Sequence, residues 1–111
     1  MTRPLRIQYP GAWYHLTARG IERRRLFVDE PDREHLLELF AGMVERYGLQ
    51  VHSFVLMDNH YHLLASIQQA NLSAAMQWLG DSYVMWFNRR HRRAGPLYQG
   101  RFKAILVDAE A

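Results

Sequence analysis

The sequence has 111 residues, a length that suits one domain with a modest hydrophobic core. It contains no cysteine, which excludes disulfides and thiolate metal sites, and it has neither a signal-peptide pattern nor the roughly 18 consecutive apolar residues of a membrane span. We therefore expect a single domain over 1–111 that is cytoplasmic and has no membrane partner.

The positive charge of the chain is concentrated in two segments. The formal net charge is +3, yet residues 88–103 contain six basic residues and no acidic one, so the remainder is net negative. Arginine forks match phosphate oxygens and displace counterions, which favours nucleic acid as a partner. Two alternatives would explain the basic residues without DNA. They could form a solvated helix end, or reflect a genome that favours arginine over lysine, since Lys103 is the single lysine of the chain. The candidate binding residues are Arg89, Arg90, Arg92, Arg93, Arg101 and Lys103, with a loop cluster of Arg23, Arg24 and Arg25.

The first half of the chain predicts a strand followed by a helix. Residues 12–20 are rich in aromatic and β-favouring side chains and follow a Pro-Gly turn. Asp29 as a capping acid, with Pro31 in the first turn, predicts a helix start, and Gly48 is placed to end the helix. The apolar stripe between them has helical spacing and comprises Leu36, Leu37, Phe40, Met43, Val44 and Tyr47.

The second half predicts a hairpin, a helix and a last strand. The apolar runs 49–56 and 60–66 are separated by only three residues, which favours an antiparallel hairpin. Asn71 or Ser73 can cap a second helix, in which Gly80 indicates close packing or a bend. After the break at 95–96, residues 101–107 predict a fourth strand. The order gives an α+β, ferredoxin-like split βαβ fold, in which an antiparallel four-stranded sheet carries two helices on one face.

His60 and His62 are two residues apart in the third predicted strand. Because side chains alternate along a strand, both imidazoles would lie on one face, with Tyr61 facing the helices. Two imidazoles on a rigid strand can clamp a metal ion, whereas the alternative is a pair of exposed or hydrogen-bonded histidines. His15 and His52 could share that face, although an isolated strand histidine is more often packed or at the surface.

Three segments of the chain resemble the single-tyrosine HUH transposases of bacteria, and within them the REP-associated tyrosine transposases. They are 57–64 (MDNHYHLL), 87–91 (FNRRH) and 95–103 (GPLYQGRFK), and the similarity runs from 13–15 (WYH) to 107–108 (VD). The name HUH describes a histidine, a hydrophobic residue and a histidine, which correspond here to His60, Tyr61 and His62.

The resemblance implies an enzyme that cuts and rejoins single-stranded DNA, with hairpin DNA as its substrate. It implies that His60 and His62, with an amide or similar side chain from a later helix, bind Mg²⁺ or Mn²⁺. A tyrosine would then attack the scissile phosphate and form a 5′-phosphotyrosine. Since the tyrosine pKa is about 10, the phosphotyrosine bond stays reversible.

The sequence departs from the family at the nucleophile. In the REP-associated group the tyrosine and the third ligand follow the fourth strand, so we expect both beyond Ala111 and expect a domain that lacks its C-terminal helix. On this view the 111-residue chain is inactive by itself. Tyr83 is the fallback nucleophile, although its spacing favours the core, and Tyr98 favours packing.

Two other functions stay open at this point. One is a non-catalytic module that binds DNA hairpins through the basic segments. The other is a zinc hydrolase or structural zinc site that uses His60 and His62 with His15 or His52, although no general base lies at a recognisable spacing. The uncovered sheet face also allows a homodimer or a domain-swapped dimer.

Overall fold

The computed structural model describes residues 8–107, which form the predicted four strands and two long helices. One turn of 3-10 helix, Ile21–Arg23, follows the first strand. In chain order the other elements are β1 (Trp13–Arg19), α1 (Glu30–Tyr47), β2 (Gln50–Met57), β3 (His60–Ser66), α2 (Leu72–Arg90) and β4 (Lys103–Val107). β3 has the same bounds as the strand predicted over residues 60–66.

The four strands form one antiparallel sheet in the order β2-β3-β1-β4. This arrangement confirms the α+β, ferredoxin-like prediction, and the predicted hairpin joins β2 to β3. The pairing of β2 with β3 shifts between Val51 and Ser53, so His52 is the extra residue of a bulge. The two central strands, β3 and β1, carry the histidines of interest.

The core lies between the helices and one face of the sheet. Tyr61 is 1% exposed, and its ring packs edge-on against Phe40 of α1 with 5.9 Å between the ring centroids. The alternating residues Tyr14, Leu16 and Leu63 are also buried on this side. The opposite face, which we call the open face, leaves apolar side chains in solvent: Val55, Met57 and Ile105.

The start of α1 differs from the prediction. Asp29 occupies the N-cap position, but its side chain makes no capping hydrogen bond and pairs instead with Arg90 of α2. The backbone N–H of Val28 donates to Asp32 Oδ2 at 2.8 Å, so the acid one turn later orders this end. Gly48 ends α1 in the left-handed conformation, with φ 71°, as its position predicts.

Helix α2 is also capped from outside its own sequence. Asn71 stands before the helix, but its amide donates to the Tyr47 carbonyl oxygen, and Gln8 Oε1 accepts from the Leu72 N–H. Gly80 lies near the Tyr98 ring, which an added Cβ would approach to 3.6 Å, an ordinary contact distance, so close packing does not require glycine at this position. Within residues 8–107 no helix combines the length and apolar character that a membrane crossing requires.

Three loops meet at one end of the sheet through backbone hydrogen bonds. The Gly20 N–H donates to the Asn59 carbonyl oxygen at 2.8 Å, and the Ile21 N–H donates to that of Leu97 at 2.9 Å. The Gln99 N–H donates to the Arg19 carbonyl oxygen at 2.8 Å. We call the loops 20–26, 58–59 and 91–101 together the basic end, because they carry most of the predicted phosphate-binding residues. β3 begins here, so the basic end adjoins the histidine pair.

Candidate metal centre and nucleic-acid interface

The two histidines of the HUH motif lie on the open face, as alternation along β3 predicts. Their rings are perpendicular, with centroids 5.0 Å apart, while Tyr61 between them is buried on the helix side. Both imidazoles are half-buried. The strand therefore holds two imidazole rings side by side at the surface of the sheet.

One nitrogen of the His60 ring is hydrogen-bonded to the side chain of Asn59. Its Nδ1 lies 2.8 Å from Asn59 Oδ1, and an amide oxygen only accepts, so the hydrogen bond requires the proton on Nδ1. In the neutral ring Nε2 is then an unprotonated lone pair. Asn59, the residue directly before the motif, thus sets the state of His60 in which Nε2 can ligate a metal.

The His62 ring is in contact with two side chains of β1. Its Nδ1 lies 3.0 Å from His15 Nε2 and 3.2 Å from Thr17 Oγ1. The rings of His15 and His62 are nearly parallel, with an interplanar angle of 14°. The sequence predicted that His15 could lie on this face but did not identify His62 as its contact. It also missed Thr17, although Thr17 is two residues from His15 in β1 and therefore lies on the same face.

The pKa of His62 is lowered from its ordinary value. Partial burial is the main cause, and the electrostatic interactions with His15, His60 and Arg19 disfavour protonation further. His62 is therefore neutral at neutral pH. A neutral imidazole is the form that binds metal ions.

The donor set decides which ions these residues fit. Within residues 8–107 no group of three or more His, Asp, Glu or Cys side chains could hold a metal ion, so His15 and His52 do not complete a zinc site with the pair. Two imidazole nitrogens fit an ion that takes its other ligands from water, phosphate oxygens or further protein groups. That description matches a divalent ion recruited together with a phosphodiester.

Basic side chains stand next to the histidine pair in the sheet. In the strand register Arg19 of β1 is opposite His60, and Thr17 is opposite both His62 on one side and Lys103 of β4 on the other. Residues directly opposite on neighbouring strands project to the same face, so Lys103 and Arg19 flank the pair on the open face. Both side chains are exposed.

The basic end brings together the two arginine clusters, which are far apart in the sequence. Arg23, Arg24 and Arg25 are all exposed, and the positive charge of Arg24 contributes to lowering the pKa of Arg93, after burial. Arg101 is also exposed in the same group of loops. Clustered cations of this kind raise the local affinity for a phosphate backbone.

Two of the predicted phosphate-binding arginines are engaged within the protein. The guanidinium of Arg90 donates to Asp29 at 2.6 Å and to Asp32 at 2.8 Å. Arg93 donates to the Asn88 side chain and to the Pro96 carbonyl oxygen, 3.0 Å away. Arg89 and Arg92 of the same segment are exposed and take part in neither of these hydrogen-bond networks.

The tyrosines weighed as nucleophiles lie away from the histidine pair. Tyr83 is fully buried, and its hydroxyl donates to the Leu26 carbonyl oxygen at 2.5 Å. Burial raises the pKa values of Tyr61, Tyr83 and Tyr98, so each stays protonated. Tyr98 lines a cleft of about 300 Å³ beside Arg101 on the helix side.

The family of the chain follows from its sequence. The profile described as "Transposase IS200 like" matches residues 8–110. The chain belongs to this transposase family. No curated protein sequence is significantly similar to it.

Two solved structures share the fold of this transposase chain. One is a REP-associated tyrosine transposase bound to a REP hairpin, with TM-score 0.80, 13% identity and 97% of this chain covered. The chain spans 63% of that relative's length. The other is a candidate transposase from Deinococcus radiodurans R1, with TM-score 0.70 and 17% identity, in which 98% of this chain and 88% of that one are covered.

Proposed function

We propose that this chain is the metal-binding and DNA-binding part of a transposase that acts on single-stranded DNA next to a hairpin. The observation that carries the proposal is the placement of His60 and His62. Both imidazoles lie on the open face, each with Nδ1 hydrogen-bonded, and they adjoin the basic end. A phosphate backbone held by the arginines would therefore pass over the two metal-binding nitrogens.

His60 and His62 would hold Mg²⁺ or Mn²⁺ through their Nε2 atoms. When bound, such an ion withdraws charge from a phosphodiester and orients its leaving oxygen. The protein's own contribution is to fix both rings. Asn59 Oδ1 accepts from His60 Nδ1 and so orients that ring, while burial lowers the pKa of His62 and favours its neutral form.

The DNA path would run from the basic end onto the open face. Arg23, Arg24 and Arg25 would contact the hairpin phosphates, and Arg19 and Lys103 would hold the strand beside the histidine pair. Phosphate contacts fix register and orientation without reading the sequence. The hairpin bound by the REP-associated relative is consistent with this class of substrate.

The covalent step requires a tyrosine that we place outside residues 8–107. Its oxygen would attack the phosphorus and form a new P–O bond, while the bond to the departing 3′-oxygen breaks and that oxygen leaves as a hydroxyl. Attack by a DNA 3′-hydroxyl on the phosphotyrosine would rejoin the strand. Tyr61 and Tyr83 cannot take this role where they stand, because both are buried on the helix side of the sheet.

The burial of these tyrosines also favours a second candidate function. Without a tyrosine at the histidine pair, the basic end alone would make the chain a non-catalytic module that binds DNA hairpins. This function requires the arginines and does not require a metal ion. Metal dependence therefore separates the two candidates.

A covalent-adduct assay tests the transposase function. A labelled DNA hairpin with a single-stranded flank, taken from around the gene, is incubated with Mn²⁺ and either this chain or the chain extended through the following codons of its reading frame. We expect a protein-DNA adduct on a denaturing gel only with the extended protein, and we expect His60→Ala to abolish it. His52→Ala is the matched control.

The other outcomes of this assay are equally informative. Hairpin binding that is the same with Mn²⁺ and with EDTA, and no adduct from the extended protein, would favour the binding module. An adduct formed by the 111-residue chain itself would contradict the position proposed for the nucleophile, and Tyr83→Phe would be the next variant to assay.

A further inference from the structure

We propose that His15 and Thr17 are positioning residues that fix the ring of His62 with its proton on Nδ1, which leaves the Nε2 lone pair available to ligate a metal ion. The inference rests on the proposed metal role of His60 and His62. Its basis is a pair of contacts at one atom, because His62 Nδ1 lies 3.0 Å from His15 Nε2 and 3.2 Å from Thr17 Oγ1.

The contacts are built into the strand pairing. Thr17 is directly opposite His62 in the β1-β3 register, and His15 is one alternation further along the same face. Thr17 is 8% exposed, so its side chain is packed within the sheet and has little contact with solvent. A rigid central strand thus places both partners against the same ring nitrogen.

The state of the His62 ring decides whether it can ligate. With the proton on Nδ1, the ring donates to His15 Nε2 or Thr17 Oγ1, and Nε2 is a free lone pair. With the proton on Nε2, that nitrogen has no lone pair and cannot bind a metal ion. A hydrogen-bond acceptor at Nδ1 therefore selects the binding-competent ring, as in other histidine metal sites where the second nitrogen donates to a partner.

His60 and His62 have different hydrogen-bond partners at Nδ1. Asn59 Oδ1, 2.8 Å from His60 Nδ1, can only accept, so it fixes His60 by itself. His15 Nε2 and Thr17 Oγ1 can each donate or accept. When His15 Nε2 accepts from His62 Nδ1–H, the proton of the His15 ring lies on its own Nδ1, which makes His15 part of the arrangement and not a passive neighbour.

His52 provides the matched control on the same face. It stacks on Trp13 with ring centroids 3.7 Å apart and contacts Ser66 Oγ at 2.9 Å. Neither contact involves the histidine pair. Its removal changes the histidine content of the open face without removing a partner of His62.

The first measurement needs no variant. Two-bond ¹H–¹⁵N correlation spectra of the metal-free chain report which nitrogen of each histidine is protonated. We expect Nδ1–H for both His60 and His62. A spectrum with the proton on Nε2 of His62 would overturn the proposal, whatever the chain does with metal.

The second measurement is a Mn²⁺ titration followed by paramagnetic broadening of the His60 and His62 signals. We expect the single variant His15→Leu, and the double variant that also carries Thr17→Val, to weaken Mn²⁺ binding by about tenfold or more. His15→Gln, which keeps an acceptor, should restore most of the affinity, and His52→Leu should leave it unchanged. The isosteric Thr17→Val tests the site even if His15→Leu fails to fold.

The outcomes separate this inference from the proposed function. If the wild-type chain binds Mn²⁺ and His15→Leu with Thr17→Val binds equally well, the positioning role is wrong and the metal role stands. If the wild-type chain does not bind Mn²⁺ at all, the metal role fails. The ring-proton spectra of wild type and His15→Gln then decide the positioning role on their own.

Discussion

The guanidinium of Arg90, at the end of α2, donates at 2.8 Å to the carboxylate of Asp32, in the first turn of α1. Asp32 is fully buried, and it also contacts His91 Nε2 at 2.9 Å and accepts from the Val28 N–H. One buried carboxylate therefore ties the two helices together beside the basic end. This makes Arg90 a structural residue even though it lies in the most basic segment of the chain.

Replacement of the buried carboxylate should lower the stability of the fold. Asp32→Asn removes the charge that Arg90 and His91 contact, and we expect the free energy of unfolding to fall by about 1–3 kcal/mol, since a buried hydrogen-bonding group loses its partner. Urea unfolding measures the change as a lower midpoint at constant slope. Glu38→Gln, on the exposed surface of α1, is the control. An unchanged midpoint for Asp32→Asn would contradict the structural role.

The pairing with Arg90 also predicts a dependence of stability on acid. The hydrogen bond from Arg90 is the main cause that lowers the pKa of Asp29, so the folded state favours the carboxylate more than the unfolded chain does. This contribution is complete above the ordinary aspartate pKa and is lost as the pH falls through the lowered value. Thermal unfolding from pH 6 to pH 2 should show that Asp29→Asn loses less stability on acidification than wild type does. Parallel curves for the two proteins would contradict the prediction.

Alternation and turn signals were sufficient to predict the sheet and the face on which the histidines lie. His60 opens β3 and Tyr61 is buried because the strand period fixes both outcomes. Helix capping was less predictable. Asp29 faces Arg90, which is distant in sequence, and the N–H of Leu72 is satisfied by Gln8, so tertiary contacts replaced the local cap that residue type predicts.

The shared face of the histidine pair could be predicted from the sequence, whereas the surroundings of the pair could not. The spacing of His60 and His62 indicates a shared face by itself, whereas the contact of His62 with Thr17 depends on the register between β1 and β3. The single sequence carries no direct signal for that register. Arg90 illustrates the converse, because a basic run reports charge but cannot tell an internally paired guanidinium from one that faces solvent.

Removal of the arginine loop should change the salt dependence of DNA binding. In the Arg23→Ala/Arg24→Ala/Arg25→Ala variant three exposed cations are lost. If all three contact phosphates of the double-stranded hairpin stem, the slope of log affinity against log salt should become shallower by about 3. Fluorescence anisotropy with a labelled hairpin at several salt concentrations measures it. Arg46→Ala, at the far end of α1, should leave the slope unchanged, and an unchanged slope in the triple variant would exclude this loop from the interface.

Gly20 should be intolerant of any side chain. A Cβ at this position would lie 2.0 Å from the Arg24 carbonyl oxygen, so the loop that carries the arginines would have to move. We expect Gly20→Ala to lower the free energy of unfolding by about 1–3 kcal/mol, the usual cost of overpacking. Gly80→Ala is the matched control, since its Cβ meets only an ordinary contact and alanine favours a helix. Equal melting temperatures for the two variants would contradict the close approach at Gly20.

The uncovered open face should make this chain associate with itself. Val55 is 52% exposed and Ile105 is 48% exposed, and both lie on the face of the sheet that no helix covers in residues 8–107. Burial of such side chains between two copies is favourable by about 25 cal/mol for each Å² of apolar surface removed from water. We expect sedimentation velocity to show a concentration-dependent dimer that Val55→Lys weakens, because a lysine placed in that contact would have to lose its water. Met85→Lys, an exposed substitution on α2, is the control. A chain that stays monomeric at all concentrations would contradict the prediction and leave the open face available to DNA alone.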